Sequence, residues 1–311
     1  MSSENQNAAN HGTGHIIQSL VVNLLITVCK GFAAFMTNSG AMLAETIHSF
    51  ADCANQALLL VGVKQARRPP DEKHPMGYGR SVYFWSFMVA MLLFSVGGMF
   101  SIYEGIHKFH NPEAVEHIMW GVGILLFSIV LEGYSAYSNV VEMNQRRGKT
   151  GFFKYLNETK DSDLIVIFGE NSAAVVGLVL ALVFLLASYY TGDGRYDGIG
   201  SFCIGVVLIG VAIFLSVKVK SLLIGESADP SINEAAEQIA IAHPKIVALL
   251  NCITIQQGPG EVLACVKIKC ESHLTALDVS TLINEFEARL RSRCPEVKWL
   301  YVEPDLQEWA N

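Results

Sequence analysis

Apolar residues fall into six long runs separated by polar breaks, at about 16–36, 41–63, 82–106, 118–140, 164–190 and 199–219. A helix needs about 20 residues to cross a hydrocarbon core, and each run is long enough, so the pattern predicts six transmembrane helices. The breaks at residues 37–40 and 107–117 are short, which forces the flanking helices to return as hairpins. The second and fourth breaks are longer and basic: one carries Lys64, Arg67, Arg68, Lys73 and Arg80, the other Arg146, Arg147, Lys149, Lys154 and Lys160. Lys108 and Arg195 are the basic residues near helix ends in the odd-numbered loops. The positive-inside rule therefore puts both termini and loops two and four on the cytoplasmic side.

From about Glu226 the pattern changes, with charged residues spread among short apolar runs. Residues 232–242 and 276–292 read as amphipathic helices, and 246–256, 262–270 and 297–302 as strands, the first two hinged at Gly258-Pro259-Gly260. The order αββαβ predicts a small open-faced α+β domain with one sheet face available to a partner. Three parts are expected: a flexible tail over 1–14, a six-helix domain over 15–224 and a soluble α+β dimerisation domain over 225–311.

Composition agrees with this reading. Hydrophobic residues make up 51% and charged residues 16% of the 311 residues, too apolar for a pair of ordinary soluble domains. A formal charge of −7 offers no polybasic surface, which argues against a nucleic-acid partner. The seven cysteines are scattered without a CxxC pair and read as reduced packing residues. No basic segment precedes the first apolar run, so a cleaved signal peptide is not expected.

The informative chemistry lies inside the apolar runs, where an ionisable group is costly and marks function. Helix two contains His48 and Asp52, four residues apart and hence on one face. An imidazole beside a carboxylate suits a borderline cation such as zinc. The rest of the coordination should come from another helix, and helix five supplies Glu170 in an otherwise apolar stretch. A bare staple between helices is the rival reading, but two carboxylates and an imidazole within a membrane are hard to keep without a cation or a proton. Glu45 shares the His48 face and Glu132 lies alone in helix four. Each stands evenly between a hydrogen-bonded helix contact or proton carrier and a role in the site.

With these residues in view, the sequence resembles the cation diffusion facilitators, which include zinc transporters. Three passages carry the resemblance: Asn38 through Asp52, His74-Pro75-Met76-Gly77-Tyr78-Gly79-Arg80, and Asp197-Gly198-Ile199-Gly200-Ser201. It implies proton-coupled export of zinc or a similar divalent ion from the cytoplasm, with H+ as the coupling ion and no prosthetic group. It also implies a homodimer whose ferredoxin-like C-terminal domains meet below the membrane. Where family zinc exporters carry a second ligand four residues along helix five, this chain has Ala174. The site would then be completed by Asn171, Asp163, Glu45 or water. That composition is similar to the branch containing the mitochondrial-type zinc transporter, and a harder, oxygen-rich site also suits manganese, iron or cobalt.

In relatives, loop two holds a second metal site. Here Asp71 and His74 remain but Tyr78 takes the second histidine's place, so a structured turn is the favoured reading. The C-terminal metal cluster of relatives corresponds to Asn251, Lys267, Glu303 and Asp305, where a lysine argues against cation binding. Asp197 is expected to cap helix six. A secondary active transporter, not an enzyme, follows, since no HExxH run supports a metallohydrolase. A non-transporting scaffold or receptor explains the topology but not the buried ionisable residues. A bacterial inner membrane is the expected location, with the branch resemblance keeping mitochondria open.

Overall fold

The computed structural model describes residue 20 and residues 23–115, 117–148, 150–160 and 162–305, without the side chains of Glu158 and Asp163. The tail expected over 1–14 lies outside the described residues. The chain divides into two compact units, one of Met1–Lys64 with Phe84–Lys220, the other of Gln65–Tyr83 with Ser221–Asn311.

The first unit is helical. Its elements are α1 (Asn23–Thr37), α2 (Gly40–Ala66), α3 (Ser81–His110), α4 (Ile118–Arg146), the short α5 (Phe152–Glu158), α6 (Ser162–Thr191) and α7 (Arg195–Ile224). Among the described residues α3, α4, α6 and α7 are long and apolar enough to cross a membrane. The described part of α1 is a shorter apolar helix, and α2 has the length but is interrupted by Glu45, His48 and Asp52. Large apolar side chains face outward, among them Phe35, Met119 and Tyr190 at 84%, 80% and 81% exposed, as expected where the surrounding solvent is lipid.

Two local devices set the helix positions. The turn into α2 uses Asn38 in the left-handed region (φ 52°), a conformation that asparagine tolerates better than most residues. Ser39 then caps α2 by accepting the Met42 N–H at 3.1 Å. Asp197 adds a second cap from another helix, accepting from the Ser39 hydroxyl and from the Gly40 and Ala41 amides. The expected cap on its own helix is thus corrected: Asp197 sits in the first turn of α7 and satisfies the orphan amides of α2.

The second device is a glycine seam. Gly98 and Gly105 on α3 face Gly198 and Gly205 on α7, each pair one heptad apart. A Cβ on Gly105 would lie 2.5 Å from the Phe202 nitrogen and 2.7 Å from the Gly198 carbonyl, so the two backbones touch. The Ser201 hydroxyl donates to the Ser101 carbonyl across the seam at 2.9 Å. Within α3, Leu93–Met99 is wound as a π-helix around Gly97 and Gly98, a feature the apolar pattern did not signal.

The second unit holds α8 (Pro230–Ile241), β1 (Ile246–Gly258), β2 (Glu261–Cys270), α9 (Ala276–Arg293) and β3 (Val297–Asp305). The order matches the αββαβ expectation. The sheet runs β1-β2-β3, with β1 antiparallel and β3 parallel to β2. Both helices pack on one face, where Ile232, Ile239, Phe286 and Leu290 meet Ala264, Val266, Ile268 and Leu300. The other face carries rows set by strand register: Ile255, Leu263 and Trp299; Ile253, Cys265 and Tyr301; Asn251, Lys267 and Glu303. Helix α9 starts with a capping box between Thr275 and Asp278.

The segment 65–83 belongs to this unit. Gly77 takes φ +71°, and a Cβ on Gly79 would lie 2.4 Å from Glu261 Oε2 and 2.9 Å from the Gln257 carbonyl. The glycines of the loop-two motif therefore serve a turn and a backbone-to-backbone approach to the β1–β2 connection.

Candidate metal site in the helical unit

On α2 the side chains of Glu45, His48, Asp52 and Asn55 recur every three or four residues and line one face of the helix. His48 is fully buried, with Nδ1 3.5 Å from Asp52 Oδ1. Among the described residues neither ring nitrogen of His48 has a hydrogen-bond partner, nor does Asp52 Oδ1. Buried polar atoms left in this condition cost about 1–3 kcal/mol each. Such atoms are the free donors that a cation or proton would satisfy.

Glu170 comes from α6 and is buried. Its Oε1 accepts from Asn55 Nδ2 at 2.7 Å, which ties α6 to α2 one turn beyond Asp52. Ala173, Ala174 and Gly177 continue the buried, small-residue stretch of α6, letting α2 come close. The structure thus brings His48 and Asp52 together and sets Glu170 beside Asn55. Among the described residues no three His, Cys, Asp or Glu side chains converge tightly enough to form a closed metal-holding group.

Lys30 of α1, which the sequence reading passed over, is fully buried in the same unit. Its ammonium donates to Glu132 Oε1 at 2.8 Å, Ser49 Oγ at 2.8 Å and Glu45 Oε2 at 3.3 Å. Glu132 is therefore not alone: it reaches from α4 to a cation on α1 that also holds Glu45 of α2. The signal was a lone lysine in an apolar run, the same signal that marked His48 and Asp52.

The remaining candidates separate by position. Asn171 faces α4, where the Ser135 hydroxyl lies 3.5 Å from its Oδ1, and its own Nδ2 has no hydrogen-bond partner among the described residues. The side chain of Asp163 lies outside the described residues. Asp71 and His74 form an exposed turn: Asp71 Oδ1 accepts the His74 and Lys73 amides at 2.7 and 3.0 Å, and Oδ2 accepts the Tyr78 hydroxyl at 2.6 Å. That hydroxyl, followed by the His74 amide, holds the Asp71 carboxyl below the usual range, while the same bond pushes the Tyr78 phenol up. The His74 ring lies on Tyr78 at 4.2 Å between centroids, with its Nδ1 3.4 Å from Asp71 Oδ1. In the C-terminal unit Lys267 pairs with Asp305 at 2.6 Å and Glu303 at 3.5 Å, and the Asp305 bond is the main cause that raises its ammonium above the ordinary lysine value. All seven cysteines are free.

The cation efflux transmembrane domain family matches residues 16–224. The proton-coupled zinc antiporter SLC30A9, mitochondrial, of Xenopus laevis is 30% identical over 278 residues, which is 87% of this chain and 50% of that protein. The chain thus spans about half the length of that relative. An uncharacterized transporter of Methanocaldococcus jannaschii is 25% identical over 293 residues, covering 94% of this chain and 97% of that protein. Among solved structures, the MamM CTD fragment 215–293 aligns with 25% of this chain and 96% of its own length, at 10% identity and a TM-score of 0.23.

Proposed function

Because the chain belongs to the cation efflux transmembrane domain family, and is accordingly an integral membrane protein, we propose that it carries divalent metal cations across the membrane in exchange for protons, with zinc as the preferred substrate. The observation that supports this most is the buried His48–Asp52 pair on α2, whose two ring nitrogens and Asp52 Oδ1 have no hydrogen-bond partner among the described residues. A purely structural staple would satisfy its own donors and acceptors.

In the proposed mechanism His48, Asp52 and Glu170 form the transport site. The Asn55 amide keeps the Glu170 carboxylate against α2, and closing the site brings that carboxylate onto the cation held by His48 and Asp52. An imidazole nitrogen beside harder carboxylate oxygens suits zinc and also admits manganese, iron or cobalt. The same lone pairs bind protons, so metal loading releases protons and a proton-rich side expels the metal. Alternate exposure of the site to the two sides then gives exchange.

The proposed assembly is a homodimer through the open sheet face, where the exposed Ile253–Cys265–Tyr301 row offers apolar surface to a second copy. The proposed location is a bacterial inner membrane with the basic loops on the cytoplasmic side, Arg67, Arg68, Arg146 and Arg147 among them. Flux into sealed proteoliposomes under imposed proton gradients tests the function. Zinc uptake should follow the outward proton gradient, and manganese, iron and cobalt added in turn should rank the ions by competition. Zinc flux without proton counterflow would indicate a channel, and no flux with any ion would sink the transport reading.

A further inference from the structure

The cluster beside the candidate site contains two carboxylates, Glu45 and Glu132, brought from α2 and α4 to one point inside the helical unit. A pair of carboxylates buried in this way ordinarily demands a cation. The protein supplies one of its own: the Lys30 ammonium, fully buried on α1, contacts both carboxylates and the Ser49 hydroxyl. Ser49 follows His48 directly in the chain, so this pocket adjoins the candidate transport site along α2.

A second observation shows that the pocket has donor capacity beyond what Lys30 uses. Glu45 is completely buried, yet among the described residues its Oε1 has no hydrogen-bond partner. That oxygen points at Gly177 of α6, where a Cβ would lie 2.3 Å from it. Any side chain at position 177 would displace the carboxylate, so the glycine leaves room for the oxygen. Carboxylate oxygens from two helices, a serine hydroxyl and a free lone pair make an oxygen-rich cation pocket in which an ammonium takes the central position.

We propose that Lys30 is a tethered cation that fills a second, Glu45–Glu132 cation pocket and so limits the helical unit to one divalent ion per chain. The proposal rests on the reading of His48, Asp52 and Glu170 as the transport site, and assigns Lys30 a part in setting its stoichiometry. With the ammonium in place, the Glu45–Glu132 pair keeps one net negative charge and its central position is taken, so the two carboxylates left open to an incoming divalent cation are Asp52 and Glu170. Without it, the two glutamates take up a divalent ion themselves.

Equilibrium dialysis of the full chain in detergent against zinc, with bound zinc counted per chain, tests this. Lys30→Met keeps the length of the side chain and removes the charge. It should bind one zinc more than wild type, whereas Lys30→Arg should bind the wild-type number. Lys30→Met combined with Glu45→Gln and Glu132→Gln should return to that number. Where Lys30→Met is unstable alone, its recovery only from buffers containing zinc supports the proposal, and its loss even there overturns it. Equal zinc in Lys30→Met and wild type also overturns it. The Asp52→Ala background separates this proposal from the transport site. Asp52→Ala should lose one ion, and adding Lys30→Met should restore one. An unchanged count in Asp52→Ala would contradict the transport site, while a gain on adding Lys30→Met would still uphold the tethered cation.

Discussion

Asp197 shows how one side chain can set the position of an entire helix. Its carboxylate takes the Ser39 hydroxyl and the first amides of α2, the helix that bears His48 and Asp52. Asp197→Ala should leave those amides unsatisfied, at a cost of about 1–3 kcal/mol, and loosen α2 against α7. The thermal midpoint in detergent should fall while Asp197→Asn loses less, and an unchanged midpoint for the alanine variant would remove the cap from the account. At this scale the ionisable residues of helices two and five were legible because a charge within an apolar run stands out. Lys30 obeys the same rule but carries no ligand signature, since an ammonium has no lone pair to offer a metal. The partner of Asp197 was not legible, because a cap supplied by a distant helix leaves no local spacing to read.

Elements were legible where periodicity decided them. The long apolar runs of α3, α4, α6 and α7 and the αββαβ order of the C-terminal unit were expected and are observed. The π-helical turn at Leu93–Met99 and the glycine seam between α3 and α7 were not, since glycine pairs acquire meaning only once the facing helix is known. On α6 the stretch from Glu170 through Ala174 to Gly177 runs along the buried side that faces α2. A carboxylate introduced at the buried Ala174 would therefore lie one turn from Glu170. Ala174→Asp should raise zinc affinity by on the order of 10-fold or shift the ion preference, by analogy with the effect of metal-site partners. Unchanged zinc affinity and selectivity in a folded variant would mean that position 174 faces away from the site.

For the molecule as a whole, the division into units did not follow the chain order simply. Loop two, expected as a turn between helices, is part of the C-terminal unit through the Gly79 approach to the β1–β2 connection. The stability of the sheet domain should depend on acid in a defined sense. Asp278, bonded by the Thr275 hydroxyl and then by Lys245, is held at about 2, below the unfolded value of about 3.9. A depressed carboxylate contributes stability that is complete above the unfolded value and is lost as pH falls toward the folded one. The melting-temperature gap between wild type and Asp278→Asn should therefore be widest above pH about 4 and close as the pH falls toward about 2. A gap that does not change with pH would contradict the capping-box assignment. In the same unit Lys267 fills the Glu303–Asp305 pair as Lys30 fills Glu45–Glu132. In the proposed mechanism His48, Asp52 and Glu170 carry the ion. The most direct test is zinc entry into proteoliposomes, followed by an internal dye, for wild type and Asp52→Ala at equal insertion. The account predicts that proton-driven flux in the variant falls to that of empty liposomes, and wild-type flux in Asp52→Ala would contradict it.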